Sequence, residues 1–333
     1  MSKFSFLKPV LIHTHFHHRK TGVTKSIENV LPFFNKNFET YVYGNTIDGN
    51  FIKSSQLKKI LFSDRKIIVH CHRNNEIIRT LFLRFLGAKF KLIATRHSAT
   101  KPSKMTSFLL KKVDKVITLI PSMSQNLGIK NDLVFHGVNV EEFLPNHIKT
   151  IPEIIQKNII LCAGRVRKAK GQLVLLEAAS ILKKHQDWAL VIVGKVDKPE
   201  FLRELKGISQ KHSIENQVYF IDETREIIGY YQAAKIAVVP SFSEGFSLVT
   251  AEAMSCECTV IATKNVGGHN DLISHEKNGY LFEAGNILAL QNLLLEAISN
   301  RLPLLGKEAR IEILKNWSAE KEAIELMKIY ESN

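Results

Sequence analysis

Short runs of apolar and β-branched residues recur along the chain, each followed by a longer segment whose apolar positions return at spacings of three and four. This is the pattern of strand–helix units built on a parallel sheet. In the first half the runs fall at residues 10–15, 40–43, 66–71, 91–95, 115–119 and 133–135, and in the second at 159–163, 189–193, 218–221, 236–240, 259–262 and 280–282. They predict two doubly wound α/β domains. Residues 142–156 carry Pro145 and Pro152 with little periodicity and read as a linker. The expected division is therefore 1–145 and 156–316. A C-terminal helix at 317–333 follows, with Ala319, Ala323, Ile324, Met327 and Tyr330 as an apolar stripe that packs back, the first domain being the expected surface. No internal repeat is visible.

A chain of 333 residues exceeds what one hydrophobic core organises, which agrees with two domains. With 45% hydrophobic and 23% charged residues it is neither disordered nor fibrous. Residues 1–8 hold two lysines but no apolar core of a leader, and no apolar run approaches the roughly 18 residues that span a bilayer. These features predict a cytoplasmic protein whose membrane contact is peripheral. Cys71, Cys162, Cys256 and Cys258 show neither zinc nor disulfide spacing and read as buried thiols.

Charge changes the picture more. Of 46 Lys and Arg, 24 lie in residues 1–150, against only 9 of the 32 Asp and Glu, so the first part carries +15 and the remainder −1. Such asymmetry points to an anionic partner: nucleic acid, an anionic membrane surface or a phosphorylated glycolipid. The plainer reading is a generally basic surface.

Two constellations carry candidate chemistry. Gly164-Arg165-Val166-Arg167-Lys168-Ala169-Lys170-Gly171 joins a strand to a helical segment, which puts Arg165 and Lys170 near a helix N-terminus, a geometry suited to a diphosphate. Glu244-Gly245-Phe246-Ser247-Leu248-Val249-Thr250-Ala251-Glu252 opens a helix after the strand ending at Pro240. Its two carboxylates suit sugar hydroxyls, and the amides of Ser247, Leu248 and Val249 suit phosphate or hydroxyl oxygens. Either segment alone also reads as an ordinary solvated loop.

Together, in this order and context, the two motifs resemble the retaining GT-B glycosyltransferases of family GT4, whose fold is two Rossmann-like domains facing a central cleft. Phe135-His136-Gly137-Val138-Asn139, Val266-Gly267-Gly268 and Asn278-Gly279 extend the likeness. Lys20-Thr21-Gly22-Val23-Thr24, His70 to Glu76 and Arg96-His97-Ser98 resemble the lipopolysaccharide core mannosyltransferases within that family. The resemblance implies a nucleotide-sugar donor, GDP- or UDP-linked, a retaining transfer without a metal, and an anionic glycolipid acceptor at the inner-membrane surface. It implies that Arg165 and Lys170 clamp the diphosphate, with Gly164 in the same loop. Glu244 then orients the sugar, Glu252 holds the ribose, Gly22 brings an amide to the diphosphate, and His97 lies near the donor sugar. Gly245, Phe246, Ser247, Leu248 and Val249 complete the donor site. His72, Arg73 and Lys20 are the acceptor-side candidates. Ser247 stands where the family often has glycine, Asp271 where it often has glutamate, and the Gly22 loop has one glycine where many members have two.

Other signals weigh less. His13, His15 and His17 alternate on a strand and share a face, which reads either as a metal site or, preferably, as hydrogen-bonding groups at a cleft. Gly22 to Ser26 echoes the end of a phosphate-binding loop but lacks its first glycine. No Asp-x-Asp occurs. No zinc, RRM or helix-turn-helix signature supports nucleic-acid binding. A basic nucleic-acid- or glycan-binding protein on the same fold, and a sugar-nucleotide epimerase, are the alternatives to transfer.

Overall fold

The computed structural model describes residues 7–146 and 149–332. Residues 1–6, on which part of the leader argument rests, lie outside the described residues. The chain divides into two units, one reaching Gly137 and resuming at Ala319, the other spanning Val138–Ser318.

In the first unit the elements run β1 (Val10–His15), α1 (Gly22–Phe34), β2 (Glu39–Gly44), α2 (Ser54–Leu61), β3 (Ile67–Cys71), α3 (Asn74–Phe85), β4 (Lys91–Thr95), α4 (Lys104–Leu110), β5 (Lys115–Thr118), α5 (Pro121–Asn126) and β6 (Asp132–Leu133). All strand pairs are parallel, in the order β2-β1-β3-β4-β5-β6. One sheet face packs Val10, Ile12, Val69, Leu92 and Val116 under Leu57 and Leu61 of α2, Ile77 of α3 and Leu109 and Leu110 of α4. The other face packs Leu11, Ile68, Ile93, Ile117 and Val134 under Val30 and Phe34 of α1 and under Ala323, Leu326 and Tyr330 of the final helix. With apolar side chains required on both faces, the strands show continuous apolar runs rather than alternation.

The second unit runs β7 (Asn158–Ala163), α6 (Gln172–Ala178), β8 (Trp188–Val193), α7 (Pro199–Lys211), β9 (Val218–Ile221), α8 (Ile227–Ala233), β10 (Ile236–Val239), α9 (Leu248–Ser255), β11 (Thr259–Thr263), α10 (His269–Leu272), β12 (Tyr280–Phe282), α11 (Ile287–Ile298) and α12 (Gly306–Asn316). Its sheet is also parallel, ordered β12-β11-β10-β7-β8-β9. The last helix, α13 (Ala319–Glu331), returns to the first unit and lies along α1.

The division differs from the expected one at two places. Residues 138–145, expected with the first domain and its linker, belong to the second unit. There Phe143 is buried, its ring 5.9 Å from that of Tyr231, and its carbonyl accepts from Ser255 Oγ at 2.8 Å and Arg310 Nη1 at 3.1 Å. Trp317, expected to start the final helix, also stays in the second unit, with its carbonyl accepting from Val138 N–H at 2.9 Å. Among the described residues no helix is long and apolar enough to cross a membrane.

Candidate functional site

Each sheet reverses its strand order once. In the second unit β7 comes first, β8 and β9 follow on one side, and β10 is added on the other, so the loops leaving β7 and β10 diverge at the carboxyl edge. Crevices form at such a switch point. Gly171 ends the loop from β7 with a φ of 70°, and a Cβ there would lie 1.9 Å from the Pro240 carbonyl oxygen, so only glycine lets the two loops touch. The Ala169 carbonyl accepts from Phe242 N–H at 2.9 Å. That contact brings Lys170 Nζ to 2.5 Å from Glu244 Oε1, which also accepts from Ser241 Oγ at 2.7 Å. The pair is largely buried, with 16% and 9% of the two side chains exposed. Arg165 is exposed, and its Nε and Nη2 both donate to Asp197 Oδ1, at 2.8 and 2.5 Å. Gln172 Nε2 donates to the Arg165 carbonyl at 2.9 Å and shapes the same loop, which begins at Gly164.

The second motif is closed from behind by Gly267. With φ at 56°, this residue sits so close that a Cβ would be 2.5 Å from Glu244 Cβ. Gly268 N–H donates to the Gly245 carbonyl at 3.0 Å. Ser247 caps α9 in the left-handed region, φ 77°, with its hydroxyl 2.9 Å from Thr250 Oγ1 and 3.1 Å from His269 Nε2. His269 Nδ1 lies 2.8 Å from the Thr263 carbonyl, which only accepts, so the proton is on Nδ1 and Nε2 accepts from Ser247. Burial lowers the pKa of His269, which keeps that tautomer neutral. Leu248 and Val249 form the half-buried first turn of α9. Phe246 is buried with its ring 5.7 Å from Trp317, so it offers a ligand backbone only. Glu252 is buried too, and its Oε2 accepts from the Tyr231 hydroxyl at 3.1 Å, a phenol whose pKa burial and this carboxylate push well above the ordinary value.

In the first unit the switch point lies between β1 and β3. Gly22 opens α1, and a Cβ there would meet nothing, so no packing contact in the protein requires glycine. Arg73 Nη2 donates to Thr21 Oγ1 at 3.2 Å across the two loops. Lys20 is held by Glu28 at 3.0 Å and Asp48 at 2.5 Å. Glu76, at the start of α3, accepts from His72 N–H (2.7 Å), Thr14 Oγ1 (3.0 Å) and Phe16 N–H (3.2 Å), fastening the ends of β1 and β3, and its pKa is raised by burial.

Beside these loops runs a continuous hydrogen-bonded chain. His136 Nδ1 is 2.7 Å from Glu322 Oε1, and His136 Nε2 is 3.2 Å from His97 Nδ1. His97 Nε2 is 3.1 Å from His72 Nδ1, and His72 Nε2 is 3.2 Å from His13 Nδ1. Tyr330 OH then joins His13 Nε2 at 3.4 Å to His70 Nδ1 at 2.8 Å, and His70 Nε2 ends on Thr95 Oγ1 at 2.7 Å. One assignment of protons serves the whole chain: with Nδ1 of each ring donating and Nε2 accepting, Glu322 accepts at one end, Thr95 Oγ1 donates at the other, and every contact has one donor and one acceptor. Burial drives the pKa of His13 down to about 3 and those of His70, His72 and His97 well below the ordinary value, so these rings are neutral.

This geometry gives the candidate histidines their places. His72, an acceptor-side candidate, is buried with both ring nitrogens engaged. The histidines that cluster are not His13, His15 and His17: His15 bonds Asn45 O at 2.7 Å and Thr24 Oγ1 at 2.9 Å, and His17 lies beyond the strand. Among the described residues His13, His70 and His72 have ligand atoms within 4.8 Å of one another, but all six ring nitrogens have hydrogen-bond partners. Sequence reading missed Asp197, His136, His269, Glu322 and Tyr330 as parts of these sites. His136 lies in the segment Phe135 to Asn139, while Glu322 and Tyr330 carry no signal beyond helical spacing.

Residues 145–316, which contain both the Lys170 and the Glu244 loop, match the family described as Glycosyl transferases group 1. The chain belongs to this family. The enzyme is a glycosyltransferase of the hexosyl-transferring kind. It is 28% identical to the lipopolysaccharide core biosynthesis mannosyltransferase LpsB of Rhizobium meliloti (strain 1021), over 79% of this chain and 78% of that one. To LpcC of Rhizobium leguminosarum bv. viciae, of the same description, it is 26% identical over 97% and 96%. HepE of Anabaena, solved with UDP-glucose, has the same fold, with a TM-score of 0.80 at 14% identity, covering 96% of this chain and 98% of that one. The glycosyltransferase thus has the GT-B fold, each of its parallel six-stranded sheets covered by helices.

Proposed function

We propose that the enzyme transfers a hexose, mannose in preference, from a nucleotide diphosphate sugar to a cell-envelope glycan of the lipopolysaccharide core type, with retention of configuration. The observation that carries the donor site is the Lys170–Glu244 pair, 2.5 Å apart beside Arg165 at the switch point of the second sheet. A diphosphate at this point draws on Lys170 and on the guanidinium donors that Asp197 does not occupy, with the amides at the start of α9 turned to sugar or phosphate oxygens. As the bond from the anomeric carbon to the diphosphate breaks, charge grows on the leaving oxygen, and Lys170 and Arg165 stabilise it without a metal. The acceptor hydroxyl forms its bond on the same face and passes its proton to the departing phosphate. Glu244 orients the sugar, Glu252 the ribose, and Gly22, whose glycine no internal contact demands, admits the diphosphate to its backbone. Preference for mannose rests on the likeness to LpsB and LpcC, and the carrier is GDP or UDP. Family GT4 membership and an anionic glycolipid acceptor met at the cytoplasmic face of the inner membrane complete the reading; the basic first part of the chain supports the latter.

The test is calorimetric binding of GDP, UDP, ADP and their sugar conjugates to the enzyme and to Lys170→Ala. Selective binding of one nucleotide sugar, lost in the folded variant, is the expected result. Equal binding by the variant removes the diphosphate assignment, and no binding by the parent turns attention to a glycan- or nucleic-acid-binding role.

A further inference from the structure

The helix face formed by α2, α3 and α4 covers one side of the first sheet, and α3 has more apolar positions than that side can bury. Ile77, Thr80 and Leu81 point to the core, whereas Ile78, Phe82, Phe85 and Leu86 form a second stripe at i, i+4, i+7 and i+8 that is exposed. Phe85 is 85% exposed and Phe82 59%. Asn74 Nδ2 donates to Thr106 Oγ1 at 2.8 Å and ties the start of α4 to that of α3, and on α4 Met105 and Phe108 are exposed as well, the latter also by 59%. From Ile77 to Val113 the sequence holds nine Lys and Arg and no Asp or Glu. Lys104, Lys111 and Lys112 stand on or beside α4, with the Lys112 Nζ 5.6 Å from the Phe108 ring centroid.

We infer that the α3–α4 face is a membrane-docking surface whose partner is a bilayer displaying anionic lipid headgroups. Protruding rings and aliphatic side chains within a cationic rim are what an interfacial helix pair needs, the apolar stripe entering the headgroup–acyl boundary and the lysines meeting the negative surface. A phosphate ligand alone would leave the apolar stripe without a role. A single-stranded nucleic acid would stack on the rings but not on Ile78, Leu86 or Met105. The inference deepens the proposed glycolipid acceptor, since an enzyme acting on one works at the surface that holds it, but lipid binding is measured with no sugar present.

The experiment is co-sedimentation of the whole protein with vesicles of phosphatidylcholine alone and of phosphatidylcholine mixed with phosphatidylglycerol. The parent binds the mixed vesicles and not the neutral ones. Phe82→Ser/Phe85→Ser lowers the partition coefficient at least about tenfold, and Lys111→Ser/Lys112→Ser lowers it by a similar factor and flattens the salt dependence. Because these side chains are exposed, unchanged circular dichroism and melting temperature confirm that the variants fold, and nucleotide binding is retained. Equal vesicle binding by parent and variants, or none by the parent, overturns the proposal. So does a parent that is dimeric and becomes monomeric with Phe82→Ser/Phe85→Ser, which assigns the face to a second copy, or one that binds an oligonucleotide through these residues and no vesicles.

Discussion

Lys170 and Glu244 hold each other, and this pairing has an energetic consequence for mutation. Removing the lysine leaves a carboxylate 91% shielded from solvent whose remaining side-chain donor among the described residues is Ser241, and a group deprived of a charged partner in such a setting costs about 1–3 kcal/mol. Removing both charges leaves nothing uncompensated. Lys170→Met is therefore expected to lower the unfolding free energy by that amount, and Lys170→Met/Glu244→Gln to recover a good part of it, as chemical denaturation of the four members of the cycle will show. Additive losses would mean the ion pair is no more than a surface contact. Both variants lose transfer activity by roughly a hundredfold or more, the scale of a lost transition-state charge partner. Of this site, sequence reading supplied Arg165, Lys170 and Glu244 at strand ends, since glycines and charges at a strand–helix junction are local features. It did not supply Asp197 or His269, whose contact with the motifs comes from loops tens of residues away.

At the scale of the element, α13 is where local pattern says least. Its spacing marks an apolar stripe but not the surface that covers it, and the structure gives it two tasks: Ala323 and Leu326 close the sheet face over Leu11, Ile68 and Ile93, while Glu322 and Tyr330 terminate and bridge the histidine chain. The histidines themselves follow from strand alternation, because Leu11 and His13, Ile68 and His70, Ile93 and Thr95, and Val134 and His136 share parity and so share a face. Four neutral buried histidines make stability depend on pH. Each is protonated near its ordinary value of 6.5 in the unfolded chain but resists protonation when folded, so the unfolded state binds more protons as acidity rises. Stability is full above that value and falls as pH drops below it toward the folded pKa, about 3 for His13. His15 and His269, also lowered by burial, act in the same direction, while Glu76 and Asp271, with their pKa raised by burial, work in the opposite sense, two carboxyls against six histidines. The melting temperature is expected to fall steadily from pH 7.5 to pH 5, and Tyr330→Phe, which strips the hydroxyl joining His13 to His70, to cost a further ~1–3 kcal/mol. A melting temperature flat across this range would show that the histidines are not held neutral.

For the whole molecule, the informative quantity is where the charge lies. The first 150 residues carry +15 and the rest −1, so the long-range field belongs to the unit that bears the α3–α4 face rather than to the one holding the Lys170 loop. Exposed charges lose their reach when the screening length drops below their spacing from the partner, about 10 Å at 0.1 M salt and 3 Å at 1 M. A largely buried donor pair such as Lys170 and Glu244 is screened far less. Salt should therefore separate the two functions: kcat/KM for a vesicle-borne acceptor falls steeply, by roughly tenfold or more, as ionic strength rises from 0.05 to 0.5 M, while kcat/KM for a short water-soluble acceptor fragment changes only about twofold. If both substrates lose activity in parallel, the salt is acting at the donor site, and the charge of the first unit serves something other than bringing the enzyme to its acceptor.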